Sequence, residues 1–117
     1  GLPHSQLIEH YHQADAFVFG STCENMPIIL IEAMSAGLPI ASSYYGPMEE
    51  VSEYAAFYFN PREVKDCKMV LENLFHNPEA RRLGALTVVN QTKKYTWVNC
   101  ATDTFKYLVE VANNYKK

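Results

Sequence analysis

Pro27-Ile-Ile-Leu-Ile-Glu-Ala-Met-Ser-Ala-Gly37, followed at once by Leu38-Pro-Ile-Ala-Ser42, is the stretch that decides the fold. Ile28 to Ile31 alone has the composition of a strand. Pro27 at the start and Glu-Ala-Met-Ser-Ala before Gly37 favour a helix instead, because proline suits a first helical position and glycine a helix end. Leu38 to Ser42 then reads as a strand. Upstream, Ala16-Phe-Val-Phe-Gly20 is a short apolar run after Asp15, closed by Gly20 and Ser21. It predicts a buried strand with both faces covered, the pattern of a parallel sheet. Strand, loop, helix and strand in this order make an α/β unit with right-handed crossovers.

The remaining elements follow outward from this unit. Ser5-Gln-Leu-Ile-Glu-His-Tyr-His-Gln-Ala14 predicts a short helix capped by Ser5, with Leu7, Ile8 and Tyr11 on one face. Ser43 to Pro47 is a turn, and Met48 to Ser52 a short helical piece. Ala56-Phe-Tyr-Phe59 is a third strand, closed by Asn60-Pro61. Arg62 to Phe75 carries Val64, Cys67, Met69, Val70, Leu71, Leu74 and Phe75, and predicts a helix with one broad apolar face. Asn77-Pro78 restarts a helix from Glu79 to about Lys94, and Thr96 caps a last one from Trp97 to about Tyr115. Three strands are few beside the roughly five or six of a typical sheet. Residues 1–117 are therefore expected to form one partial domain, a fragment of a larger Rossmann-like sheet.

Composition narrows the class. A chain of 117 residues with 48% hydrophobic and 20% charged residues fits one soluble globular unit with a modest core. The net charge of −3 gives no electrostatic reason to expect nucleic acid or an anionic membrane as a partner. No apolar run is long enough to span a bilayer, and no signal peptide opens the sequence. Cys23, Cys67 and Cys100 are widely spaced and odd in number, which fits free thiols in a reducing, cytoplasmic setting rather than a disulfide framework or a zinc site. His4, His10, His12 and His76 show no metal-binding spacing and read as surface or packing residues.

Two acids stand out. Glu32 is the only charge between Pro27 and Gly37. An unpartnered carboxylate is costly to bury, so Glu32 either occupies the one wet face of its helix or points at a ligand. Glu24 lies eight residues earlier, in the loop Ser21-Thr-Cys-Glu-Asn-Met-Pro27. It is either an acid favoured by the helix dipole or a second ligand contact. Ligands of parallel α/β sheets bind beyond the carboxyl ends of the strands, where helix N-termini offer free N–H groups to phosphates. The amides of Ile28 and Ile29 are candidates for that role. Tyr44 and Tyr45, in the later turn, either stack on a base or sugar or pack internally. No Gly-x-Gly-x-x-Gly, Walker or His-Glu-x-x-His motif is present.

Several pieces, in order, resemble the C-terminal domain of retaining GT-B glycosyltransferases, the family 4 (group 1) enzymes. Tyr11-His-Gln-Ala-Asp-Ala-Phe-Val-Phe19 resembles the family's Tyr-x-x-Ala-Asp-x-x-Val segment. Ser21-Thr-Cys-Glu-Asn-Met-Pro27 resembles its Ser-x-x-Glu-Gly-Phe-Gly loop. Leu30 to Ser42 resembles its Leu-x-Glu-Ala-Met-Ala-x-Gly-x-Pro-Val-Val-Ala-Ser core. Gly46-Pro-Met-Glu-Glu50 resembles its Gly-Gly-x-x-Glu loop, and Tyr95-Thr-Trp97 the Phe-Ser-Trp that opens its last helix.

The resemblance implies a nucleoside-diphosphate-sugar donor, transfer to a glycan, lipid or small-molecule acceptor hydroxyl with retention, and no obligatory metal or other cofactor. It implies that Glu24 contacts the donor sugar and serves catalysis. The amides of Asn25, Met26 and Ile28, around Pro27, would approach sugar or pyrophosphate, and Glu32 would accept both ribose hydroxyls. Asn25-Met26-Pro27 departs from Gly-Phe-Gly, and Pro27 removes one backbone donor. Pro47 replaces the second glycine of the later loop. The resemblance further implies an acceptor domain and a first half of the donor domain outside this chain, carrying a basic phosphate clamp. On that basis the fragment alone is expected to be inactive, its first strand is expected to have an open edge that can self-associate, and the complete enzyme can be peripheral to a membrane. The rival readings are a non-catalytic nucleotide-sugar-binding or interaction module, a hydrolase or epimerase of the same architecture, and a structural domain.

Overall fold

The computed structural model describes residues 2–115. The chain alternates helix and strand: α1 (His4–Gln13), β1 (Phe17–Phe19), α2 (Ile28–Ser35), β2 (Ile40–Ser43), α3 (Pro47–Ser52) and β3 (Phe57–Phe59), then α4 (Val64–His76), α5 (Pro78–Thr92) and α6 (Trp97–Asn114). The three strands lie in the order β1-β2-β3 and all pairs are parallel. Phe17 pairs with Ile40, and Ser42 with Tyr58. This is the partial Rossmann-like sheet that the strand–helix alternation predicts.

The helix that decides the fold forms as its sequence dictates. Leu30, Ala33 and Met34 fall on one face and are fully buried. Each large apolar side chain taken from water contributes about 1.5–3 kcal/mol, so Leu30 and Met34 commit this face to the sheet. Gly37 ends the helix with φ 76°, a left-handed conformation that costs glycine nothing. Its amide bonds the Met34 carbonyl at 3.0 Å and that of Leu38 the Ala33 carbonyl at 3.2 Å, the paired bonds of a Schellman end. That turn delivers Ile40 directly into the sheet. Gly46, with φ 57°, makes the comparable sharp entry into α3.

One face of the sheet is covered by α2, α3 and α5. Leu30, Met34, Ile40, Met48, Val51 and Val88 form that core, with Phe17 and Phe19 packed against it. The other face is covered by α4, through Leu74 against Ala41 and Phe59. Here the expectation of a first strand with both faces covered is corrected. Val18 alternates to the face opposite Phe17 and Phe19 and remains 47% exposed. The reason is reach: α4 packs over β3 and β2, and β1 is the sheet edge, paired only with β2 among the described residues.

Ser5 does not cap α1. The helix begins two residues earlier than that cap implies, at His4, with Pro3 at the cap position and no side-chain cap bond. The Pro3 carbonyl accepts the Gln6 amide at 2.9 Å, so Ser5 lies inside the first turn rather than beside its free amides. The other predicted cap forms: Thr96 Oγ1 accepts the Asn99 amide at 3.1 Å. α6 buries none of its residues, and Trp97, Val98 and Phe105 stand 69–85% exposed. The helix extends from the body, and the molecule measures 59 × 32 × 30 Å.

Candidate functional site

The loop between β1 and α2 sits at the carboxyl ends of the strands, and hydroxyls set its shape. Ser43, fully buried at the end of β2, donates through Oγ to the Ser21 carbonyl at 2.5 Å. Ser21 in turn donates through its own Oγ to Glu24 Oε1 at 2.7 Å. The half-buried Glu24 carboxylate is therefore tied, through two serines, to the end of the central strand. The Ser21 bond is charge-assisted, the stronger kind, and leaves the carboxylate further lone pairs.

Beyond Glu24 the chain turns into α2. Asn25 and Met26 are exposed, whereas Pro27 is buried and anchors the helix start. The Ile28 amide turns back to the Met26 carbonyl at 2.9 Å. Among the described residues no hydrogen bond engages the amides of Asn25, Met26 or Ile29. Three backbone donors thus remain open at the helix start, where the dipole favours an anion.

Glu32 is half-buried, one turn further along α2. It borders an open groove of about 320 Å³ between α1 and α2, which Tyr11, Ile28, Ile31 and Ser35 also line. Tyr11 Oη donates to Glu32 Oε2 at 3.1 Å. Burial first, and then the Glu32 carboxylate, push the Tyr11 phenol above its ordinary value. Glu32 thus lies on the wet side of α2 and borders this concavity.

A second cluster stands at the same sheet edge. The Tyr44 and Tyr45 rings stack at 4.9 Å, and the Arg62 guanidinium lies over Tyr45 at 5.6 Å. Arg62 follows β3, so a cation stands at the strands' carboxyl ends, where the sequence reading does not place one. Tyr11 and Ser43 are likewise found only in the structure, because each works through a contact across the fold; Ser21 bonds Glu24 from only three residues away, a local spacing present in the loop itself. The described residues gather no group of three or more His, Cys, Asp or Glu that could hold a metal. Cys23, Cys67 and Cys100 are free, and Cys23 is exposed. No described helix is long and apolar enough to cross a membrane.

Fold and site together define a partial Rossmann-like parallel α/β domain whose acid-bearing loop and following helix stand at the strands' carboxyl ends, where open α/β sheets bind their ligands. Residues 1–84 match the family described as Glycosyl transferases group 1, and the chain belongs to that family. It is 33% identical over 101 residues to the sulfoquinovosyl transferase of Arabidopsis thaliana, covering 82% of this chain and 20% of that protein. It is 27% identical over 103 residues to O-antigen chain mannosyltransferase B of Escherichia coli, covering 88% of this chain and 27% of that protein. Its fold matches the structure of sucrose-phosphate synthase from Thermosynechococcus elongatus with a TM-score of 0.82, at 18% identity, covering 97% of this chain and 29% of that one. The chain thus spans between a fifth and three-tenths of the length of these proteins.

Proposed function

We propose that this chain is the donor-binding portion of a glycosyltransferase that takes a nucleoside-diphosphate sugar and transfers the sugar to an acceptor hydroxyl with retention of configuration. The observation that carries the reading is the placement of Glu24 and Glu32. Both carboxylates are half-buried, both belong to one strand–loop–helix unit at the carboxyl edge, and each accepts a bond from a neighbouring hydroxyl. An ionised carboxylate accepts two adjacent O–H donors, which suits a polyol. The open amides at the start of α2 lie between the two acids in sequence and suit a phosphate.

In this reading Glu24 meets the donor sugar and Glu32 the ribose. Asn25, Met26 and Ile29 offer N–H groups to the diphosphate as negative charge develops on the departing nucleotide. Pro27 fixes the turn that presents them, and Ile28 contributes its side chain to the wall of the groove. The acceptor is a glycan, a lipid or a small molecule, bound by residues outside this chain, and no metal is obligatory.

The test uses the complete protein with uridine, guanosine and adenosine diphosphate sugars, assayed with and without EDTA. Nuclear magnetic resonance of the product reads the anomeric configuration. Transfer with the donor's configuration retained, and undiminished by EDTA, supports the proposal. An inverted product, or free sugar as sole product, overturns it. Nucleotide binding without transfer to any acceptor identifies a binding module instead.

A further inference from the structure

The groove between α1 and α2 contains one contact that the pair of acids does not itself require: the hydrogen bond from Tyr11 to Glu32. We infer that Tyr11 is a positioning residue for Glu32, its hydroxyl holding one carboxylate oxygen so that the group is already oriented for the vicinal diol of a ribose. The inference rests on the donor-site reading above and adds a residue that reading does not contain.

The geometry of Tyr11 fits the role. Its ring meets Phe17 edge-on at 6.1 Å, and Phe17 stacks on Phe19 at 5.9 Å. The hydroxyl is therefore referenced to β1, although Tyr11 belongs to α1. Glu32 has a flexible side chain, and its neighbours Ile28 and Ile31 in the groove are apolar. Among the described residues Tyr11 is the one side-chain donor bonded to it. Fixing such a side chain before a ligand arrives removes an ordering cost from the binding step. A carboxylate has about four lone-pair sites, so a bond from Tyr11 leaves room for two ligand hydroxyls. Burial and the adjacent carboxylate raise the phenol's pKa, which keeps Tyr11 a proton donor throughout the neutral range.

The opposite role is also concrete. If Tyr11 merely occupies the acceptor that a ligand must claim, its removal tightens binding. Calorimetry on the complete protein separates the two, using uridine, guanosine and adenosine diphosphates and then the 2′-deoxy form of whichever binds. Tyr11→Phe keeps the ring against Phe17 and removes only the hydroxyl. The expected result is about tenfold weaker ribonucleotide binding, the scale of one hydrogen bond to a charged group, with a smaller change for the 2′-deoxy form. In a Glu32→Gln background the same substitution should add no comparable loss.

Unchanged or tighter ribonucleotide binding by Tyr11→Phe overturns the inference. So does an equal loss for the two nucleotide forms together with an equal loss in both backgrounds, which marks a general packing defect. If Glu32→Gln weakens binding while Tyr11→Phe does not, only the role of Tyr11 falls. If Glu32→Gln binds like the unaltered protein, or no diphosphate binds at all, the donor-site reading falls with it.

Discussion

Ser21→Ala tests whether the serine relay builds the site or only ties down a loop. The substitution removes the hydroxyl that bonds Glu24 Oε1 at 2.7 Å and leaves the Ser21 carbonyl to receive Ser43 at 2.5 Å. Side chain and backbone tether are thus separable. A hydrogen bond to a charged group contributes about 1.5–3 kcal/mol. Both partners here are half-exposed, so water replaces part of the loss, and about 1 kcal/mol is the expected cost to stability. That corresponds to roughly 2–8 °C in Tm, depending on the size of the cooperative unit. The functional effect should be larger than the change in stability. Glu24 without its partner samples other rotamers, and kcat/KM for the sugar donor should fall about tenfold, equivalent to about 1.4 kcal/mol. Ser43→Ala should instead cost stability first, because it strips a buried side chain from the carbonyl that shapes the whole loop. The assay is steady-state transfer alongside a thermal melt for both variants. Ser21→Ala with full turnover and a lowered Tm would refute the reasoning, since the hydroxyl would then support the loop and not the carboxylate.

Glu24→Ala should reduce turnover of the sugar donor more than affinity for the bare nucleotide; equal losses in a transfer assay and a nucleotide titration would remove Glu24 from the sugar. The isolated chain should associate at micromolar concentration, since β1 presents an open backbone edge beside the exposed Val18. Light scattering should show this, and Val18→Lys should diminish it; a monodisperse monomer argues that the edge does not drive association. Burial raises the Tyr58 phenol above its ordinary value. A folded-state pKa above the unfolded one means that its contribution to stability is fully present below about pH 10 and is lost as pH rises through the folded value. Urea titrations should therefore show an alkaline loss of stability that Tyr58→Phe reduces, and an identical pH dependence in the variant would contradict this.

The elements were legible where local chemistry decides them. Pro27 and Gly37 bracket α2 as read, because one suits a helix start and the other supplies the left-handed end. Thr96 caps α6, since an N-cap needs only its own following amides. The failures are instructive in the same terms. Ser5 has the composition of a cap, but Pro3 starts the helix two residues sooner. The run Phe17–Phe19 has the composition of a strand covered on both faces, but α4 lies over its neighbours and leaves Val18 in solvent. Coverage is a property of the assembled layers, which a run of three residues does not encode. The candidate acids were visible through isolation and spacing. Tyr11 as the partner of Glu32, and Ser43 as the anchor of the Ser21 carbonyl, were not, because Tyr11 and Glu32 are 21 residues apart and Ser21 and Ser43 are 22. Only the parallel crossover brings each pair together.

Glu32 tests the central claim most directly. Glu32→Gln preserves size while removing the charge. Calorimetric titration of the complete protein with its preferred nucleoside diphosphate should show binding weakened by about 1–3 kcal/mol, with Tm nearly unchanged. Affinity equal to that of the unaltered protein would contradict the assignment of this helix face to ribose, and a collapse in Tm would make Glu32 a structural residue.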